Sequence, residues 1–150
     1  MNRMQQPARD TALATTRPYG PALERLRGVG LRPTRQRLAL AKLLFDTDDR
    51  HVTAEMLHGE ALRARVRVSL ATVYNTLHQF TDAGLLREIV VDAERSYFDT
   101  NVSNHHHLFD EGTRYLYDIP EADIRLDSLP PLPDGMEVSR VDVIVRIKKA

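Results

Sequence analysis

Apolar residues between positions 20 and 85 recur at intervals of three and four, the spacing of a helical stripe. Leu23 and Leu26 mark a first helix over Pro21–Val29, ended by Gly28 and Gly30. A second helix begins near Pro33–Thr34, where a first-turn proline and a capping hydroxyl stand together. It carries Leu38, Ala41, Leu44 and Phe45 inward and breaks at Asp46–Arg50. Thr53 caps a third helix with Glu55 in its first turn, and Met56, Leu57, Ala61 and Leu62 are its expected inner face. A fourth helix runs between Ser69 and Gly84, with Leu70, Val73, Leu77 and Phe80 on one stripe. Period-two alternation then predicts strands at Leu86–Val91 and Ser96–Thr100 around a loop at Asp92–Arg95.

The outer face of the fourth helix, Ala71, Thr72, Asn75 and Gln79, is small, polar and uncharged. Such a face is either a neutral surface or one shaped for base edges, where Asn and Gln can pair with adenine and Thr can touch a thymine methyl. Three helices, a polar helix and a hairpin, in that order, point to a winged helix-turn-helix that binds double-stranded DNA.

The pattern changes after residue 104. Strands are predicted at His107–Glu111 and Arg114–Ile119 about a turn at Gly112, with Pro120 ending the second. Glu121–Leu129 reads as a short helix, and Pro130, Pro131, Pro133 and Gly135 as a stiff loop. In Val138–Lys148, Val141, Val143, Val145 and Ile147 alternate as a long strand. So small a unit is marginal alone and is expected to pair with a second copy. The expected class is α+β, a winged helix-turn-helix followed by a small α/β dimerisation domain. The expected divisions are a flexible arm (1–19), a DNA-binding domain (20–99), a hinge (100–104) and a dimerisation and ligand-sensing domain (105–150).

Composition narrows the function. With 42% hydrophobic and 28% charged residues in 150, the chain is globular in character. It has no apolar run long enough for a membrane span and no apolar stretch of a secretory signal, so a cytoplasmic protein with no membrane partner is expected. The absence of cysteine excludes disulfides, thiolate zinc sites, iron–sulfur clusters and a thiol nucleophile. The 21 basic and 21 acidic residues cancel, yet residues 1–90 hold 14 basic and 9 acidic side chains and residues 91–150 hold 7 and 12. That asymmetry of +5 against −5 is either scatter or a basic half suited to phosphates.

The histidines carry the chemistry. In an extended strand His105 and His107 share a face while His106 points away. A pair at i, i+2 is a ready imidazole site for Zn²⁺, Fe²⁺ or Mn²⁺, or axial ligation for haem, unless the run is simply solvated. His51 and Asp99 are the residues expected to complete a four-ligand shell. His58 and His78 lack partners at useful spacing and read as surface or packing residues. A small metal-dependent hydrolase is a remote alternative. It would need a general base, and the sequence offers no HExxH and no second carboxylate beside the histidines.

The segments GLRPTRQRLAL (30–40), HVTAEML (51–57), SLATVYNTLHQFTDAGLL (69–86) and SYFDTNVSNHHHLF (96–109) resemble the ferric uptake regulator (Fur) family. The resemblance runs over about residues 20–150. The uninterrupted HHH, the DIP at 118–120 and the ending LPDGMEVSRVDVIVRIKK look most like its iron response regulator branch, found in rhizobia and related alphaproteobacteria. The resemblance implies a homodimeric, iron- and haem-responsive transcription regulator, a repressor in kind, on AT-rich inverted repeats, and no catalysis. It maps the regulatory metal to His51, Asp99, His105 and His107, and haem to His105, His106 and His107. Bound haem is expected to lower DNA affinity. Tyr74 matches the major-groove tyrosine, with Thr72 and Asn75 beside it, and Arg32 a basic residue of the minor groove. An alternative within the family is direct sensing of Mn²⁺, Fe²⁺ or Zn²⁺. The chain departs from many members in lacking CxxC pairs, in reading Tyr19–Gly20–Pro21 where some carry a Cys-Pro haem motif, and in placing Arg125 where others have a carboxylate.

Overall fold

The computed structural model describes residues 18–150. Most of the expected arm, residues 1–17, therefore lies outside the described residues. The chain divides into two compact units, Met1–Val102 and Ser103–Ala150.

In the first unit, α1 (Gly20–Gly28), α2 (Arg35–Phe45), α3 (Ala54–Arg63) and α4 (Leu70–Asp82) follow the expected stripes. The starts of α2, α3 and α4 are set by side-chain caps. Thr34 Oγ1 accepts the Arg37 N–H, Thr53 Oγ1 that of Met56, and Ser69 Oγ that of Thr72. After α4, Gly84 takes φ +83°, a conformation that suits glycine, and Leu85 N–H reaches back to the Phe80 carbonyl.

The core gathers Leu26, Leu40, Leu44, Val52, Leu57, Val73, Leu77, Phe80 and Phe98, all fully buried. Each such side chain contributes about 1.5–3 kcal/mol by leaving water. Leu70 is only half-buried, and the inner face of α3 is Ala54, Leu57 and Ala61. The expected Met56 and Leu62 face solvent. The stripe counts from the capped start at Ala54 in steps of three and four, and those two side chains fall off it.

Three strands complete this unit: β1 (His51–Val52), β2 (Arg87–Asp92) and β3 (Arg95–Asp99), in the order β1-β3-β2, all antiparallel. The hairpin is tighter than expected. Asp92 pairs with Arg95, and Asp92 Oδ1 accepts the Glu94 N–H at 2.9 Å, so the turn is Ala93–Glu94. Strand β1 lies between the expected break at Asp46–Arg50 and the third helix, and it places His51 opposite Asp99 and Val52 opposite Phe98.

The second unit is a sheet of β4 (His105–Asp110), β5 (Leu116–Pro120) and β6 (Ile144–Ile147), in the order β5-β4-β6. Strands β4 and β5 are antiparallel, and β4 and β6 parallel. Asp110 Oδ1 accepts the Gly112 and Thr113 N–H groups, which shapes the turn between β4 and β5. Those two bonds hold the Asp110 carboxyl below its ordinary pKa.

Two expectations are corrected here. Instead of a helix over Glu121–Leu129 there is one 3₁₀ turn, Glu121–Asp123, after which Ile124 is extended. Leu129 precedes a proline, which disfavours helix, and Leu126 and Leu129 stay exposed. The strand predicted over Val138–Lys148 is confined to Ile144–Ile147. Ladder pairing with β4 begins at His107↔Ile144, and the N–H of the preceding Val143 is taken by the His106 ring.

Candidate functional site

The pleat of β4 sets His105 and His107 on one face, with ring centroids 4.5 Å apart. All three consecutive histidines are buried, so the run is not a solvated cluster. The His105 Nδ1 lies 2.6 Å from the Ser103 carbonyl oxygen. A carbonyl only accepts, so Nδ1 carries the proton, and the neutral ring has its lone pair on Nε2. That Nε2 lies 3.3 Å from Asp118 Oδ1, and the His107 Nε2 lies 3.4 Å from the same oxygen. Asp118 stands directly opposite His107 across the β4–β5 pair, its side chain 45% exposed.

Two imidazoles and a carboxylate thus converge within 4.8 Å of one another. This is a nitrogen–oxygen set without sulfur, which suits Fe²⁺, Mn²⁺ or Zn²⁺. The expectation of no second carboxylate beside the histidines is corrected by Asp118. The signal was available: equal steps outward from a turn centred on Gly112–Thr113 bring residue 118 opposite residue 107.

His106 does different work. It points to the other face, and its Nδ1 accepts the Val143 N–H at 3.2 Å. With Nδ1 as acceptor, the neutral ring bears its proton on Nε2.

In the first unit His51 Nε2 lies 3.1 Å from Asp99 Oδ2. Asp99 is almost wholly buried, and its Oδ1 accepts the Asn101 N–H at 2.9 Å. A buried carboxylate needs such partners. Next to this pair, Arg50 forms a two-pronged ion pair with Glu60, and its backbone N–H donates to Thr100 Oγ1. Of the other histidines, His58 Nε2 is 3.0 Å from the Val68 carbonyl oxygen, and exposed His78 meets Phe98 edge-on.

On α4 the outer face is as expected: Ala71, Asn75 and Gln79 are exposed and Thr72 is half-buried. Among the polar side chains of α4, Tyr74 and Gln79 are already engaged with other helices of the unit. The Tyr74 hydroxyl donates to Glu55 Oε1 at 2.7 Å, which raises the Tyr74 pKa above its ordinary value of 10.0. Gln79 Oε1 accepts from Arg37 Nε and Nη2 at 3.2 and 3.0 Å, so it is not available to pair with adenine N6. Arg32 is exposed, and its carbonyl oxygen accepts from Arg37 Nη1 at 2.9 Å. Sequence reading missed Glu55 and Arg37, whose partners are distant in the chain.

These features define a winged-helix protein of the α+β class with imidazole and carboxylate groups suited to a divalent cation. The sequence profile of the ferric uptake regulator family matches residues 28–130, and the chain belongs to that family. The ferric uptake regulation protein of Bordetella parapertussis is 32% identical over 100 residues, 66% of this chain and 72% of that protein. The peroxide-responsive repressor PerR of Staphylococcus epidermidis is 35% identical over 86 residues, 57% of each chain. Among solved structures, the ferric uptake regulator of Pseudomonas aeruginosa with manganese superposes with a TM-score of 0.66. It is 25% identical, and the match covers 85% of this chain and 97% of that one. The Vibrio cholerae ferric uptake regulator shares the fold at a TM-score of 0.65 and 21% identity, over 84% of this chain and 98% of that one. No helix among the described residues is long and apolar enough to cross a membrane.

Proposed function

We propose that this chain is a metal-responsive transcription regulator without enzymatic activity, in which occupancy of a histidine–carboxylate site governs grip on double-stranded DNA. The observation that carries the reading is the convergence of His105, His107 and Asp118 on one point of the β4–β5 sheet. The tautomer fixed by Ser103 puts the His105 lone pair on Nε2, the atom that faces Asp118. The P. aeruginosa relative is a structure with manganese, which supports the same class of ligand here.

His105, His107 and Asp118 would hold the ion, and the paired His51 and Asp99 would join them in the metal-bound state, as the family resemblance implies. A bound divalent cation supplies positive charge and a fixed geometry for its donors. His105 is already oriented by Ser103, and Asp99 by Asn101, so these two side chains are held in place before binding. An ion that prefers one arrangement of the chain shifts the population toward it, and DNA affinity changes by that preference.

On the DNA side, α4 would enter the major groove with Thr72, Tyr74 and Asn75, and Arg32 would meet the minor groove of AT-rich inverted repeats. A homodimer suits a two-fold repeat. Apolar residues exposed on the second unit, among them Tyr115, Tyr117, Val145 and Ile147, support pairing with a second copy. Such a regulator works in the cytoplasm.

The finer reading places the chain in the iron response regulator branch, with haem at His105, His106 and His107 weakening DNA binding. The uninterrupted histidine run supports it. The bond from Val143 limits the part His106 plays, because its Nε2 carries the proton.

The test is a titration of metal-depleted full chain with Mn²⁺, Zn²⁺, anaerobic Fe²⁺ and hemin, in parallel with binding to a pool of randomised duplexes. Metal-dependent enrichment of AT-rich inverted repeats, lost in His105→Ala and His107→Ala, is the expected result. Enrichment indifferent to every metal and to hemin would sink the sensor reading. Enrichment that hemin alone abolishes would favour the haem branch over direct metal sensing.

A further inference from the structure

Arg37, half-buried on α2, uses three of its N–H groups on two distant parts of the first unit. Nε and Nη2 converge on Gln79 Oε1, and Nη1 reaches the Arg32 carbonyl oxygen at 2.9 Å. A guanidinium has donors only, so the Gln79 atom where two of them meet is the oxygen. Gln79 lies on the outer face of α4, one turn beyond Asn75. Arg32 lies in the segment between α1 and α2. One planar cation therefore ties the segment bearing the minor-groove candidate to the helix bearing the major-groove candidates.

We infer that Arg37 is a positioning residue for DNA recognition, fixing Arg32 at a set offset from α4 so that both grooves are engaged in one register. The inference rests on the DNA reading proposed above and adds a residue to it. A fork of rigid N–H groups is needed to hold two acceptors at once, and the single ammonium of lysine lacks that geometry. A corollary follows for Gln79. With Oε1 occupied, it presents only its amide N–H groups, which match purine N7, guanine O6 or thymine O4 rather than both edges of adenine.

An ordinary pin between α2 and α4 would make the same hydrogen bonds. It differs in one respect: it would not couple Arg37 energetically to Arg32 in DNA binding. The experiment therefore measures affinity of the Mn²⁺-loaded full chain for the duplex most enriched from a randomised pool, at several salt concentrations. The variants are Arg37→Ala, Arg32→Ala, the pair together, Gln79→Leu and Gln79→Glu.

Arg37→Ala and Gln79→Leu are each expected to weaken binding about tenfold, the scale of a charge-assisted hydrogen bond. Gln79→Glu keeps an acceptor for the fork and is expected to retain the Arg32 dependence. The deciding result is the cycle: Arg32→Ala weakens the native chain but changes affinity less than about twofold once Arg37 is already Ala. Equal loss from Arg32→Ala in both backgrounds overturns the inference. So does an Arg37→Ala effect that is uniform across sequences and lowers the salt slope by about one, which marks a phosphate contact. Should Arg37→Ala unfold the unit, Gln79→Leu breaks the two bonds that tie Arg37 to α4, leaves the Arg32 bond and α2 intact, and gives a second cycle with Arg32. If the native chain enriches no duplex at all, the DNA reading itself has failed, which these variant comparisons distinguish from failure of the coupling alone.

Discussion

Replacing Asp118 by Asn removes one charge from the β4–β5 site and leaves its shape. The two imidazole nitrogens lie 3.3 and 3.4 Å from the oxygen concerned, so this carboxylate is the anionic donor of the second unit's set. At a metal concentration one hundred times Kd, binding stabilises a one-site protein by about 2.7 kcal/mol. Loss even of a group outside the ligand shell weakens metal sites by roughly 10- to 100-fold, so the same range is a floor for a donor. Asp118 is 45% exposed, which places it at the lower end, so about tenfold is expected. At the same metal concentration the stabilisation falls to about 1.4 kcal/mol. The metal-induced rise in Tm therefore halves, whatever the unfolding entropy. Thermal melts followed by circular dichroism, with and without Mn²⁺ or Zn²⁺, measure it directly. His78→Ala, on the exposed surface, serves as the control and keeps the full increment. An Asp118→Asn chain that keeps the full increment would refute the assignment of Asp118 to the site.

Leu77→Ala empties a fully buried position of α4 and is expected to cost about 2–5 kcal/mol, read as a lower urea midpoint with unchanged m-value. The Tyr74 pKa is raised by its bond to Glu55, so the stability from that bond is whole below pH 10 and is lost as pH climbs through the raised value. Glu55→Gln should bring the titration of Tyr74 back toward the ordinary tyrosine range, seen by tyrosinate absorbance; an unmoved titration would count against the bond. His106→Ala should speed hydrogen exchange at Val143 while leaving the Mn²⁺-induced Tm increment intact. A lost increment would make His106 part of the metal site.

What sequence revealed and what it hid separate along one physical line. Thr34, Thr53 and Ser69 cap helices through bonds spanning three residues, and Gly30 and Gly84 end them by their own positive φ. Such chemistry is local, so four helices were legible with their boundaries. Strand β1 was not, because a two-residue strand exists only through its partner, β3. The alternation over Val138–Lys148 was real, yet ladder length is decided by β4. Asp118 and Arg37 share the same reason for being missed: each matters through a residue far away in the chain, His107 in one case and Gln79 in the other. His105 and His107 were legible as a pair since the pleat alone puts i and i+2 together.

The run of three histidines shows how that pleat divides labour between identical side chains. Two rings face Asp118, and one of them has its tautomer fixed by the Ser103 carbonyl. The ring between them faces away and receives the Val143 N–H, holding the residue that leads into β6. The protonation patterns are opposite: Nδ1–H on His105, Nε2–H on His106. Only the first leaves an Nε2 lone pair for a cation. For His106 to ligate through Nε2, its proton would have to leave that nitrogen. If it moved to Nδ1, the Val143 bond would be lost at about 1 kcal/mol, with a buried N–H left to satisfy. Residue type is therefore a poor guide to ligation within this run. The partner of each ring's second nitrogen decides, and that partner is set by strand register.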